Sequence, residues 1–201
     1  MASISSKYVS TLLLILLSIC LHINCSSAAR DLAETTSTEF IRTSCSATTY
    51  PKLCYSSLLT HASKIQTSPM LLANAALSVT LASATSTSTM MQKLSQSHGM
   101  KPREVSAMQD CMEELSNSVD QISRSIDELG NGKVTNFKLM INDVQTWASA
   151  ALTDENTCSE GFEGNPMNGK LKTLVREQIV NIAHMTSNAL ALVNKYASLH
   201  S

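Results

Sequence analysis

Apolar residues recur at alternating spacings of three and four from Val105 to Leu129, without an interruption. The positions are Val105, Met108, Met112, Leu115, Val119, Ile122, Ile126 and Leu129. A helix of 3.6 residues per turn gathers such a set on one narrow face, whereas a strand would scatter it over both faces. The spacing therefore predicts a long amphipathic helix of about seven turns.

A second helix is predicted to start near Val134, because helical spacing of apolar residues resumes there and continues to Ala151. The intervening Gly130-Asn131-Gly132 indicates a short turn. Two long helices joined by a few residues lie antiparallel. We therefore expect a central helical hairpin over residues 105–158, against which the rest of the chain packs.

Ser68-Pro69 is a typical helix start, with serine as the N-cap and proline at the first helical position. The helix that follows is predicted to bury Leu72, Ala75, Ala76, Val79 and Ala82. The Ser/Thr run at residues 83–89 has low helix propensity and would suit a flexible linker. Apolar spacing resumes after it without glycine or proline, which favours one continuous helix ending before the turn at 97–102.

A last helix is predicted from about Leu171 to Tyr196, after a loop rich in glycine, proline and asparagine. Before residue 68, a short helix that includes Phe40 and a second one starting at Pro51 form a small arm over residues 30–66. The fold class is therefore all-α: an up-down-up-down four-helix bundle at residues 68–201 with an N-terminal helical hairpin.

Residues 1–29 have the pattern of a signal peptide. Lys7 provides a basic start, residues 12–23 are apolar, and Ser27-Ala28-Ala29 presents small residues at a cleavage site. A membrane anchor is the alternative, but the apolar run is shorter than the roughly 20 residues that span a bilayer. We expect a secreted mature domain at residues 30–201, outside the membrane once the leader is removed.

Four cysteines remain in the mature chain. In an oxidising compartment we expect them to form two disulfides. Cys111 lies near the start of the first hairpin helix and Cys158 just past the end of the second, so antiparallel packing brings them together. Cys45 and Cys54 then pair across the turn at Thr49-Tyr50-Pro51. Loop-closure entropy gives about 4 and about 2.6 kcal/mol for the two bonds. A zinc site is the competing interpretation, but no CxxC or paired histidine spacing accompanies these cysteines.

Charge and residue pattern point away from nucleic-acid binding and catalysis. The mature chain has 14 Lys and Arg (15 less Lys7) against 16 Asp and Glu, without a basic cluster. No catalytic or cofactor motif is present, so we expect neither enzyme activity nor a cofactor or metal. The dispersed His61, His98, His184 and His200 are interpreted as structural, and the carboxylates of the central hairpin as a solvated face.

One row of polar residues on the first hairpin helix is a candidate docking face for another protein. It comprises Glu113, Asn117, Asp120 and Asp127, on the side of the helix away from its apolar stripe.

The motifs of the mature chain resemble the plant invertase and pectin methylesterase inhibitor family. They are residues 41–45 (IRTSC) and 49–54 (TYPKLC), the pair Asp110-Cys111, the run 143–158 (DVQTWASAALTDENTC) and Gly161-Phe162. The resemblance implies a secreted four-helix bundle with a helical hairpin, whose first cysteine pairs with the second and whose third pairs with the fourth. It covers the whole mature chain, which would make residues 30–201 an inhibitor domain.

The resemblance also implies a partner. Members of the pectin methylesterase branch form a one-to-one complex that covers the enzyme's pectin cleft, in the apoplast or cell wall. Matched by distance from the cysteines, the family's contact positions fall on Glu113, Asn117, Asp120, Thr157 and Glu160. Asn117 replaces an acidic residue found in other inhibitors, which removes one charge from the contact.

Two other functions remain open. Inhibitors of acid invertase resemble this chain in fold and cysteines, but they use a Pro-Lys-Phe motif in the bundle. Here Pro51-Lys52-Leu53 lies in the arm, which favours the pectin methylesterase branch. A structural module resembling an enzyme's pro-region is the third possibility, although no catalytic domain follows in this sequence.

Overall fold

The computed structural model describes residues 32–97, 99–130, 136–163 and 169–200, and these residues form helices and turns without a strand. In chain order the helices are α1 (32–45), α2 (Pro51–Leu58), α3 (Ala62–Ile65), α4 (Pro69–Ser95), α5 (Pro102–Gly130), α6 (Phe137–Gly161) and α7 (Lys170–Ser198). A 3₁₀ turn at Leu59–His61 separates α2 from α3. The predicted all-α fold class is confirmed.

The four long helices form the bundle. Helix α5 packs against α4 and α6, and α7 packs against the same two helices, so α4 and α6 lie diagonally opposite. The most extensive packing is between α5 and α6, the predicted central hairpin. The two disulfides of the fold join Cys45 to Cys54 in the arm and Cys111 to Cys158 between α5 and α6. Both are the pairs predicted from the sequence.

Helix α4 begins as predicted, with the Ser68 hydroxyl accepting a hydrogen bond from the Leu71 N–H at 3.3 Å. It continues through the Ser/Thr run, so the prediction of one continuous helix is confirmed. Within that run the hydroxyls of Thr85 and Thr89 donate to the carbonyl oxygens of Leu81 and Thr85, at 2.8 and 3.0 Å. These bonds stay inside the helix, so the side chains do not draw the backbone into another conformation.

The buried face of α5 is rotated from the predicted stripe. Ser118 and Ser125 are fully buried, whereas Val119 and Ile126 are only partly buried and Val105 is 37% exposed. The buried set is Ala107, Met108, Cys111, Leu115, Ser118, Ile122, Ser125 and Leu129. The prediction from apolar residues alone therefore placed the centre of the buried stripe wrongly, because serine side chains occupy two of the buried positions.

The prediction for α4 was wrong at Ala82, which is exposed, while Ala84 is fully buried. Of the other expected positions, Leu72 and Ala76 are buried, and Ala75 and Val79 pack at the margin of the core. Helix α4 is also long and apolar enough to cross a membrane by length and composition. Because it lies between α5 and α7 and contributes eight buried residues, we interpret it as a core helix of the bundle.

The N-terminal arm is more helical than predicted, since α1 spans residues 32–45 instead of a short segment around Phe40. A reciprocal pair of hydrogen bonds attaches the arm to α7. The Tyr50 N–H donates to the Asn188 amide oxygen, and the Asn188 amide nitrogen donates to the Tyr50 carbonyl, both at 3.0 Å. The Tyr50 ring stacks on His184 with 3.6 Å between centroids.

Some predictions fall on residues that the structure leaves undescribed. The predicted leader at residues 1–29, the helix start at Val134, the turn residues Asn131 and Gly132, and His98 all lie outside the described residues.

Candidate functional site

The five residues proposed from the sequence as partner contacts are all exposed. We call them the α5–α6 face: Glu113, Asn117 and Asp120 on α5, with Thr157 and Glu160 on α6. The Cys111–Cys158 disulfide joins the two helices at the level of Glu113 and Thr157. The face therefore lies on two long helices that are fixed to each other by a covalent bond, which limits how far it can deform.

Side chains on the face form only weak contacts with each other and with their neighbours. Asp120 makes an ion pair with Arg124 at 3.1 Å, but the two side chains are 71% and 62% exposed. Exposed pairs of this kind stabilise a protein by about 1 kcal/mol or less. The Thr157 hydroxyl donates to the carbonyl of Thr153 at 2.9 Å, within its own helix. An incoming partner could therefore engage these groups without breaking a strong internal interaction.

The face has two parts. Helical spacing puts Asn117 one turn from Glu114, and Thr157 one turn from Asp154, along the seam between α5 and α6. Glu160 instead borders a groove of about 360 Å³ between α6 and α7. In that groove Arg176 pairs with Glu163 at 2.8 Å, and the stacked rings of Tyr50 and His184 also line it.

A polar layer crosses the bundle beneath the face. It consists of one buried polar residue from each long helix: Thr80, Ser118, Glu155 and Thr186, each at most 1% exposed. On every helix this residue stands between the two separate apolar clusters of the core, for example between Leu115 and Ile122 on α5. The layer therefore divides the core of the bundle into two parts.

Glu155 is the central residue of this layer and has no exposed surface. Its Oε1 accepts hydrogen bonds from the Ser118 hydroxyl at 2.7 Å and the Thr186 hydroxyl at 2.8 Å. Burial raises the pKa of Glu155 to about 7, an increase that the two hydroxyl groups reduce and the nearby Asp154 adds to. The carboxyl group is consequently neutral in mildly acidic solution.

A pair of carboxyl groups, Glu114 and Asp154, lies at the seam itself. Burial raises the pKa of Glu114, and its interaction with Asp154 across the seam raises it further. Burial likewise raises the pKa of Asp154, while hydrogen bonding to Glu114 and Gln121 acts in the opposite direction. Three buried side-chain oxygens have no hydrogen-bond partner here: Gln121 Oε1, Asp154 Oδ2 and Glu155 Oε2. The seam therefore contains more buried acceptors than its donors satisfy.

The expectation that the carboxylates of the central hairpin form a solvated face was wrong for Glu155 and incomplete for Glu114 and Asp154, which are half-buried. A signal for Glu155 was present in the sequence. Residues 148, 151, 155 and 158 continue the spacing of three and four along α6, so Glu155 stands in the register of the apolar stripe. Glu155 was nevertheless assigned to the solvated face, because charged residues are rarely buried.

The histidines that the structure describes are separated from one another. His184 stacks on Tyr50, and His200 packs against the rings of Phe137 and Tyr196. Burial lowers the pKa of His184. Among the described residues, no group of three or more His, Cys, Asp or Glu side chains could hold a metal ion.

Comparison with known proteins gives consistent results. The sequence profile of the plant invertase/pectin methylesterase inhibitor family matches residues 39–192. The chain is 44% identical to pectinesterase inhibitor 11 of Arabidopsis thaliana over 192 residues, covering 93% of this chain and 95% of that one. It is 47% identical to a 21 kDa protein of Daucus carota, over 81% and 86% of the two chains.

A crystal structure of a mutant form of a pectin methylesterase inhibitor from Arabidopsis has a similar fold. Its TM-score is 0.61 at 23% identity, covering 75% of this chain and 92% of that one.

Proposed function

Because this chain belongs to the plant invertase/pectin methylesterase inhibitor family, we propose that it inhibits a pectin methylesterase by binding to it. The family consists of inhibitor proteins, and the chain is accordingly not an enzyme. Relatives that are 43–44% identical over nearly the whole chain are named pectinesterase inhibitors, which supports pectin methylesterase over invertase as the target.

The complex that we propose contains one inhibitor and one enzyme, with the α5–α6 face covering the cleft that binds pectin. The observation that supports this most strongly is the exposure of all five predicted contact residues on two disulfide-linked helices. A preformed face loses little conformational entropy on binding. Inhibition then needs no chemistry from the inhibitor, since a covered cleft excludes the polysaccharide.

We further propose that the protein acts outside the cell, in the apoplast or cell wall. The predicted leader at residues 1–29 and the two disulfides support this location, because disulfides persist in oxidising compartments. The mature inhibitor domain would then comprise residues 30–201, with the arm at 30–66 and the bundle at 68–201.

The proposal is tested with the mature chain and a purified plant pectin methylesterase, by following proton release from methylated pectin at mildly acidic pH. We expect activity to fall in proportion to added inhibitor, with complete inhibition near equimolar amounts. Light scattering of the mixture should give the summed mass of one inhibitor and one enzyme. Unchanged activity with excess inhibitor would refute the proposal.

The alternative target is tested in parallel with a plant acid invertase and sucrose. Invertase inhibition together with unaffected pectin demethylation would assign the chain to the other branch of its family. Inhibition of neither enzyme would favour the structural-module interpretation.

A further inference from the structure

The carboxyl groups of Glu114, Asp154 and Glu155 lie on the two helices that carry the α5–α6 face, Glu155 fully buried and the other two half-buried. Ser118, which donates to Glu155, is adjacent in sequence to Asn117 on the face. On α6, Thr157 follows Glu155 by two residues. A change in the charge of these groups would therefore act first on the packing of α5 against α6, which together carry the face.

Among the described residues, the groups that shift the pKa of Glu155 include no basic side chain. Its acidic neighbour is Asp154 on α6, which in turn faces Glu114 across the seam on α5; Asp110 and Glu113 also influence Glu114. Helix α7 contributes the uncharged Thr186, while its titratable His184 stacks on Tyr50, and α4 has no charged residue from Pro69 to Gln92. Ionising Glu155 would bury a negative charge that two hydroxyl groups stabilise and that Asp154 repels, while its second oxygen has no donor; this is strongly unfavourable.

A bound proton removes the unfavourable negative charge from this cluster. Gln121 Oε1, Asp154 Oδ2 and Glu155 Oε2 are buried acceptors without a donor. Protonating a carboxylate removes its charge and converts one of its oxygens into a hydrogen-bond donor. Two carboxyl groups that face each other, such as Glu114 and Asp154, can form a mutual hydrogen bond only when one of them is protonated.

We propose that Glu155, together with the Glu114–Asp154 pair, forms a proton-binding cluster that couples solution pH to the packing of α5 against α6. With protons bound the seam is closed and the face above it is ordered; their loss loosens the seam. This response to pH does not require a target enzyme. It goes beyond the proposed function, because pH would change the helix packing of the inhibitor itself.

The direction of the effect follows from the pKa values. The pKa of Glu155 is about 7 in the folded chain against an ordinary value of 4.5, so the folded chain retains a proton that the unfolded chain releases. The contribution to stability is complete below about pH 4.5 and is lost as the pH rises through about 7. The raised pKa values of Glu114 and Asp154 act in the same direction.

The test compares three forms of the mature chain: the wild type, Glu155→Gln, and the control Glu177→Gln, which alters an exposed carboxylate on α7. Glutamine keeps the shape of a protonated glutamate but cannot ionise. Between about pH 5 and about pH 8 we expect the wild-type Tm to fall by about 5–10 °C, with the same fall in Glu177→Gln. Glu155→Gln should show a clearly smaller fall. An equal fall in all three proteins would overturn the proposal.

A measurement on the wild type keeps the proposal testable if Glu155→Gln does not fold. The carboxyl carbon of Glu155, followed by NMR, should titrate with a midpoint near 7. A midpoint near the ordinary value of 4.5 would overturn the proposal. Amide exchange, corrected for its intrinsic pH dependence, should rise with pH in α5 and α6 more than in α4. A uniform rise would contradict a seam-specific effect.

Discussion

The central hairpin and the N-terminal arm are both helical segments closed by a buried disulfide, yet they are held in the molecule in different ways. Helices α5 and α6 pack extensively against each other, and the pair contacts the rest of the bundle through α5 on α4 and through α6 on α7. The arm makes fewer contacts with the bundle, and its turn is fixed to α7 by hydrogen bonds between Tyr50 and Asn188. Cooperative stability therefore resides in the hairpin, and we expect the arm to be released more easily.

Removing the hairpin disulfide should have the largest effect on global stability. Cys111 and Cys158 are 47 residues apart, so the bond excludes many conformations of the unfolded chain. The change Cys111→Ala with Cys158→Ala should lower the free energy of unfolding by up to about 4 kcal/mol. Chemical denaturation followed by circular dichroism measures this loss. No change in the midpoint would mean that the bond does not constrain the chain.

The matched change in the arm, Cys45→Ala with Cys54→Ala, should cost less. These cysteines are only nine residues apart, and loop closure predicts a loss of about 2.6 kcal/mol at most. All four cysteines are at most 2% exposed, so the alanine variants lose similar buried surface and differ chiefly in loop length. If removing the arm disulfide lowered the free energy of unfolding more than removing the hairpin disulfide, the argument from loop length would be wrong.

The attachment of the arm should depend on Asn188. Its amide is 3% exposed and bonds to both backbone groups of Tyr50, so Asn188→Ala should cost about 1–2 kcal/mol. The effect should appear as faster proteolysis of residues 32–67, while α5 and α6 stay protected. The control is Asn194→Ala, an exposed asparagine on the same helix whose side chain accepts a hydrogen bond from Gln145 on α6. Equal proteolysis of the two variants would argue against a role for Asn188.

The difference between the two regions also explains what the sequence could predict. The long helices, their antiparallel order and both disulfides follow from apolar spacing and cysteine positions, because these are properties of local sequence and chain length. The polar layer does not follow in the same way, since Ser118, Glu155 and Thr186 are hydrophilic residues that lie at core positions only because they bond to one another. A pattern built from apolar residues alone treats such residues as surface, although the register of Glu155 with residues 148, 151 and 158 already indicated an inward position.

The attachment of the arm to α7 could not be predicted from the sequence either. Tyr50 and Asn188 are 138 residues apart, and no spacing rule links them. The five contact residues were found through the family resemblance instead, and the structure shows that each is exposed. Exposure is a condition for contact with a partner, and their role in binding stays a prediction.

The smallest effects on stability should come from substitutions of exposed carboxylates. Here the two regions are compared for their role in binding instead of in folding. Glu113→Ala with Asp120→Ala on the hairpin, and Glu34→Ala with Glu39→Ala on the arm, each remove two exposed acidic side chains. Both variants should change the free energy of unfolding by about 0.5 kcal/mol or less, because surface substitutions have little effect on folding. Only the hairpin variant should weaken inhibition of pectin methylesterase, by about tenfold or more, which is at least about 1.4 kcal/mol of binding energy. Equal weakening by both variants would show that the enzyme responds to the net charge of the inhibitor and not to the α5–α6 face.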